Sequence, residues 1–282
     1  MDLTDDQIAD IARLISHERL AAFVAITGTE RDALALHHET MLLQGALAPV
    51  MGVIEIALRN AIGERLRGLF GVPDWLRAPP PGFEWRGEER DAVRRAVSHA
   101  RRAAYAKMTA AEKKGLEALA FPHGVPEGLS HEDRVKRRQA AITVTVGPVI
   151  AQLTLFFWKR LFSADYEAKL WKRSLKRLFP DKDVDRAAVA WRLEVLYQAR
   201  NRLAHHEPLH GPRLAKLIGA IDFIAAKFGT PGADGATALT RMVAPYRPAL
   251  DRQVAALSAA MERYSMNGAG DVAPEPEAGD RE

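Results

Sequence analysis

Apolar residues along this chain recur at intervals of three and four, and the strict alternation of a half-buried strand is nearly absent. The pattern predicts an all-α protein. Thr4-Asp5-Asp6-Gln7 reads as a capping box, a hydroxyl followed three residues later by glutamine, and opens a helix through about Ala25. A second helix is expected from Glu30 to Leu47, and Pro49, tolerated in a first turn, opens a third through Phe70. Gly71-Val72-Pro73 and Pro79-Pro80-Pro81-Gly82 bound a long loop over 71–86. A charged helix follows from Gly87 to Lys107, then a short one over Ala110–Leu119 and a break at Phe121–Pro126. From Pro148 to Phe162 an apolar helix carries Phe156, Phe157 and Trp158. Apolar residues lie on too many of its faces for a surface position, so it belongs in the centre. A basic helix over Asp165–Leu178 stops at Pro180, and a helix from Asp183 to His206 is ended by Pro208. Pro212–Phe228 is another apolar helix, residues 229–235 form a linker, and one or two further helices reach Tyr264. The remainder, 265–282, is an acidic Gly/Pro/Ala-rich tail of disordered composition.

The helix predicted over 183–206 breaks its own pattern. On a wheel, Val189, Leu193, Leu196 and Leu203 share an inward stripe, and Arg200 falls within it. A buried guanidinium needs a carboxylate, a phosphate or a wet cleft. Glu194, Tyr197, Asn201 and His205 form a second, polar stripe, with His205 in the last turn where the helix dipole favours an imidazolium. A structural ion pair for the arginine and a cap for the histidine are the plain alternatives. Glu55 makes a similar exception beside the apolar stripe of Met51, Ile54, Leu58 and Ile62. It is either half of a buried structural pair or the residue that positions Arg200, with Arg59 and Arg202 as its next candidate partners.

Composition narrows the classes. The chain has 282 residues, 48% hydrophobic and 27% charged, enough for a sizeable core in one large domain or two small ones. It contains no cysteine, which excludes disulfides, thiolate metal sites and cysteine nucleophiles. The acidic start Met1-Asp2-Leu3-Thr4-Asp5-Asp6 is unlike a secretory signal, and Val144–Trp158 is too short and interrupted for a membrane span. A cytoplasmic protein without membrane attachment is expected. Five cations and no anion lie between Lys169 and Arg177, and Arg134–Arg138 is a second basic run. Such runs are ordinarily solvated faces and bear on nucleic acid only beside a site for it.

Metal and DNA chemistry fit poorly. His205, His206, Glu207 and His210 do not form the His-Glu-x-x-His spacing of zinc hydrolases, and Pro208 ends the helix that would align them. His37-His38-Glu39 has no third ligand at helical spacing, and no helix-turn-helix or finger accompanies the basic runs.

The run Ala199-Arg200-Asn201-Arg202-Leu203-Ala204-His205-His206-Glu207-Pro208 resembles the signature of Abi-like (abortive-infection) proteins of the HEPN superfamily, in which four to six residues separate an arginine from a histidine and a polar residue often directly follows the arginine. Ile54-Glu55-Ile56-Ala57-Leu58-Arg59-Asn60-Ala61-Ile62 is similar to that family's N-terminal motif. Leu155-Phe156-Phe157-Trp158 with Leu161-Phe162 resembles its central aromatic helix. Tyr166 through Leu170-Trp171, with Leu178-Phe179-Pro180, resembles the segment that succeeds this helix in the family. Many members carry a glycine within the central aromatic motif, where this chain has Phe156 at or near that place, and Glu207 stands where some toxins carry a modified tyrosine.

The resemblance implies a HEPN-like helical bundle with additional N- and C-terminal helices, one domain over 1–264 with its core about 35–228. It further implies a homodimer whose two Arg–His motifs share a cleft, and a phage-defence or toxin role with an antitoxin or defence-system partner. The implied activity is RNA cleavage without metal or other cofactor. Arg200, Asn201 and His205 would be catalytic and Glu55, Arg59, Asn60, Arg202 and His206 supporting; beside such a site Lys172, Arg173, Lys176 and Arg177, spaced so that at least two share a helix face, are the expected RNA contacts. The resemblance also admits a non-catalytic HEPN module that binds nucleotide, RNA or a protein through the same cleft.

Overall fold

A computed structural model describes residues 3–266, and among these the regular structure is entirely helical. The helices are α1 (Asp5–Ile15), α2 (His17–Thr27), α3 (Glu30–Phe70), α4 (Gly87–Ala106), α5 (Ala110–Ala120), α6 (His131–Ala140), α7 (Val146–Gln152), α8 (Leu155–Arg160), α9 (Arg186–Ala204), α10 (Gly211–Lys227), α11 (Ala238–Val243) and α12 (Arg247–Met266). The all-α expectation holds. The acidic tail expected over 265–282 lies, from 267 onward, outside the described residues.

Local chemistry explains most of the boundaries. Both halves of the Thr4/Gln7 capping box form, but the helix they open ends at Ile15. Ser16 takes φ +84° there and its hydroxyl caps α2, so the expected single helix is two. At Pro49 the opposite happens: α3 runs unbroken through the proline over 41 residues. The proline removes one N–H, and its ring meets the turn of Gly45, an exposed glycine whose carbonyl can turn to water. Of the described helices α3 alone is long and apolar enough, by length and composition, to cross a bilayer. Its stripe of Leu43, Leu47, Val50, Ile54, Leu58, Ile62 and Leu66 is nevertheless buried within the protein.

Three expected helices are redrawn. The apolar segment 148–162 is divided between α7 and α8, because Leu153 is extended (ψ 131°). Three of its aromatic residues are central as expected, Phe157, Trp158 and Phe162 being at most 1% exposed, while Phe156 is half-buried. The basic segment 165–178 is a chain of tight and wide turns: 3-10 at Ala164–Tyr166, π at Glu167–Trp171 and 3-10 again at Leu175–Leu178. Tyr166, Leu170, Trp171, Leu175 and Leu178 are buried along these turns. Finally, α9 starts three residues after Asp183, where Asp185 Oδ1 accepts from the Ala188 amide (2.6 Å).

By contacts the described chain separates into two compact units. One comprises 3–52, 198–219 and 242–266, the other 53–197 and 220–241. In the first, Ile8, Ala12, Leu20 and Leu34 form a small core between α1, α2 and the start of α3. The second holds an aromatic core in which Trp85 lies within 6.3 Å, centroid to centroid, of Phe70, Trp75, Phe83, Phe157 and Tyr166.

Candidate functional site

The C-terminal end of α9 is locked by backbone geometry. The His206 amide donates to Leu203 O (3.3 Å) and the Glu207 amide to Arg202 O (2.9 Å), the paired bonds of a Schellman turn. The turn requires a left-handed residue, normally glycine, and His206 occupies it at φ +53°. Its side chain helps hold that conformation. Gln44, a buried amide on α3, donates through Nε2 to Glu207 O (3.0 Å) and accepts through Oε1 from His206 Nδ1 (3.3 Å). An amide oxygen only accepts, so Nδ1 carries the proton in this contact. Arg202 pairs with Glu207 across the same turn (3.3 Å), and Leu209, just beyond, is buried.

On this frame Arg200 and His205 are both exposed, and Asn201 is half-buried between them. The stripe expected to bury Arg200 turns instead from Leu196 to Ala199, which is 3% exposed, leaving Leu203 half-buried and the guanidinium in solvent. Within their unit, Arg200, Asn201 and His205 make no side-chain hydrogen bond or ion pair. Arg200 lies in the last turn of α9 and His205 in the turn just beyond its end; five residues at helical spacing amount to roughly 140° of rotation and about 7.5 Å of rise, so the two groups do not share one face of the helix. An exposed guanidinium needs no buried counter-ion, so the expected reason for Arg200 to face Glu55 is gone. Glu55 is half-buried on α3 without an ion pair in its own unit, Asn60 is exposed, and Arg59 has a buried, unpaired Nε.

The polar stripe on α9 divides in function. Glu194 is ion-paired with Lys159, and the Lys159 ammonium lies 4.4 Å from the centroid of the Tyr197 ring. Both residues are occupied in packing α8, while Asn201 and His205 are not. His206, read as a supporting residue, is a turn residue. His37 on α3 is half-buried against Phe23. Burial, then the charges of Arg19, His38 and His206, lower its pKa.

The proposed RNA contacts separate as well. Lys176 is turned inward, its ammonium donating to the Asp181 and Val184 carbonyls and lying over the Trp171 ring. These carbonyls sit in the irregular segment before α9 and need a donor there, so Lys176 is structural. Lys172 pairs with Glu167 at 3.5 Å, and Arg173 and Arg177 are exposed. In the other basic run, Arg134 and Arg138 both bind Glu117 and Lys136 binds Glu132. Among the described residues no three His, Asp or Glu side chains converge as a metal site would require.

Sequence reasoning missed Gln44. Its signal was there: an amide one residue after Leu43 and three before Leu47, beside the apolar stripe of α3. No family model matches the chain, and no curated protein or solved structure is significantly similar to it.

Proposed function

We propose that the chain is an endoribonuclease of the Abi-like HEPN type that cleaves RNA by attack of a ribose 2′-hydroxyl on the adjacent phosphorus. The observation that supports this is a free guanidinium and a free imidazole, both exposed, at the locked end of one helix. That order of residues, together with the three other segments resembling the family, carries the reading.

In this chemistry the 2′-oxygen forms a bond to phosphorus as the bond to the 5′-oxygen breaks. One proton leaves the 2′-hydroxyl and one arrives on the departing oxygen. Arg200 neutralises the non-bridging oxygens, whose charge grows in the transition state and whose geometry its planar fork matches. His205 transfers one of the two protons, and His205 of a second copy transfers the other. Asn201 hydrogen-bonds the phosphate or orients the imidazole. The fixed turn matters because both groups must be held near the reacting atoms before binding.

The test is cleavage of a single-stranded RNA by purified protein, beside Arg200→Ala and His205→Ala. Each variant is expected to lose at least about a hundredfold in rate. Both side chains are exposed, so both variants are expected to keep the wild-type Tm. Undiminished cleavage by the His205 variant would overturn the assignment.

A further inference from the structure

Away from the Arg–His motif, in the unit formed by 53–197 and 220–241, a cavity of about 700 Å³ opens between α4, α6 and the loop before α4. This volume lies within the range of small-molecule sites. Its floor is apolar, from Leu76, Trp85, Val93 and Val97. Trp85 is fixed within the aromatic core and its indole N–H donates to Leu76 O (2.8 Å). The floor is therefore rigid.

The walls are cationic. Arg77, Arg90, Arg94, Arg101, Arg102 and Lys136 line the cavity, against Glu84 as the only carboxylate. Three of the six have local counter-charges: Arg77 with Asp74 (2.8 Å), Arg94 with Asp91 (3.2 Å) and Lys136 with Glu132 (2.8 Å). The other three do not. Arg101 donates only its Nε, to Ile142 O (3.0 Å), which anchors the side chain and leaves both terminal nitrogens free. Arg90 and Arg102 are exposed and make no side-chain hydrogen bond or ion pair among the described residues. Arg90 and Arg94 are four residues apart on α4, as are Ser98 and Arg102, so the cations gather on one helix face where like charges repel. The fold concentrates positive charge around an apolar floor, and an anion placed there would relieve it.

We propose that this cavity binds a small organic phosphate, its apolar body on the floor of Leu76, Trp85, Val93 and Val97 and its phosphate held by Arg90, Arg101 and Arg102. Guanidinium groups are suited to phosphate oxygens because they donate in pairs, and one already anchored by its Nε loses little freedom on binding. The apolar body is what distinguishes this ligand from a free inorganic anion. A nucleotide and a short alkyl phosphate share this chemistry. The proposal stands independently of the ribonuclease reading.

Calorimetric titration of the full chain with ADP, hexyl phosphate and inorganic pyrophosphate tests it. At least one organic phosphate is expected to bind, at least about tenfold more tightly than pyrophosphate. The tighter of the two identifies the body as heterocyclic or aliphatic. The double variant Arg90→Ala/Arg102→Ala, altered only at exposed positions, is expected to keep its Tm and lose at least about tenfold in affinity. Val97→Trp fills the floor but leaves every cation, and is expected to lose the organic phosphate while retaining pyrophosphate. His205→Ala is expected to bind as wild type does. The proposal is overturned if neither organic phosphate binds at millimolar concentration, if pyrophosphate binds equally well, or if the arginine variant is unaffected. Binding of single-stranded RNA through these arginines, with no binding of either small phosphate, would likewise overturn it.

Discussion

At His206 the backbone adopts a conformation that costs a non-glycine residue roughly 1 kcal/mol, while the side chain accepts a partner in Gln44. Two substitutions separate these effects. His206→Gly relieves the backbone and His206→Ala does not, so the glycine variant is expected to be more stable by about 1 kcal/mol in chemical denaturation. Equal stability would mean the turn is not strained. Gln44→Ala leaves the Glu207 carbonyl without its donor, and is expected to cost about 1–3 kcal/mol. His37 adds a dependence on pH. Its folded-state pKa is lowered by burial and then by neighbouring positive charge, so the unfolded chain takes up a proton that the folded chain resists. The associated stability is fully present above the ordinary imidazole value of about 6.5 and is lost as pH falls through the lowered folded value. Denaturation midpoints measured across this range should fall on acidification, and the fall should be shallower in His37→Gln. At this scale Arg200, Asn201 and His205 were legible in the sequence, but the exposure of Arg200 was not. Wheel position assigns a residue to a stripe, whereas its depth depends on whether the buried line turns at Leu196, and only packing decides that.

At the scale of elements, the anchor of α4 is a buried carboxylate. Glu89 is fully buried, ion-paired with Arg160 at 2.7 Å and hydrogen-bonded by the Tyr166 hydroxyl at 2.9 Å. Burial, with the Glu89 carboxylate beside it, pushes the Tyr166 phenol well above its ordinary pKa. Glu89→Ala leaves the buried Tyr166 hydroxyl without its acceptor and Arg160 with only Glu88 and Asp165 as partners, and is expected to destabilise by about 1–3 kcal/mol. A loss under about 1 kcal/mol in thermal denaturation would show that the pair is dispensable. The segment before α9 makes a different prediction. Lys176→Met removes the donor of two backbone carbonyls and should lower the Tm. Arg173→Ala with Arg177→Ala should leave the Tm alone and flatten the salt dependence of RNA binding, by about one slope unit for each phosphate no longer neutralised. An unchanged slope would return those arginines to the solvated surface. The start of α1, marked by its capping box, and the short α5 were readable from sequence because their signals are local, whereas the end of α1 at Ile15 was not. The continuity of α3 through Pro49 and the irregular turns over Ala164–Leu178 were not, because tertiary context overrides local propensity there.

For the whole molecule, the all-α class follows from periodicity alone, since three- and four-residue spacing leaves no competing architecture. The division into two units did not show in the sequence. No composition shift marks it, and its boundaries fall inside α3, α9, α10 and α11, where the pattern is uninterrupted. The cavity beside α4 was hidden for a related reason: its α4 arginines lie in a charged helix that reads as solvated, and the apolar floor beside them is completed by Leu76 and Trp85 from the preceding loop.

The chemistry proposed for the end of α9 is tested most directly by the ends of the cleaved RNA. Attack by the neighbouring 2′-hydroxyl leaves a 2′,3′-cyclic phosphate on one fragment and a 5′-hydroxyl on the other. Wild-type protein incubated with single-stranded RNA in EDTA is expected to yield these ends, and a 2′-deoxy substitution at the cleaved position is expected to block cutting there. Products bearing 5′-phosphate and 3′-hydroxyl, or cleavage that stops in EDTA and returns with added divalent metal, would contradict it.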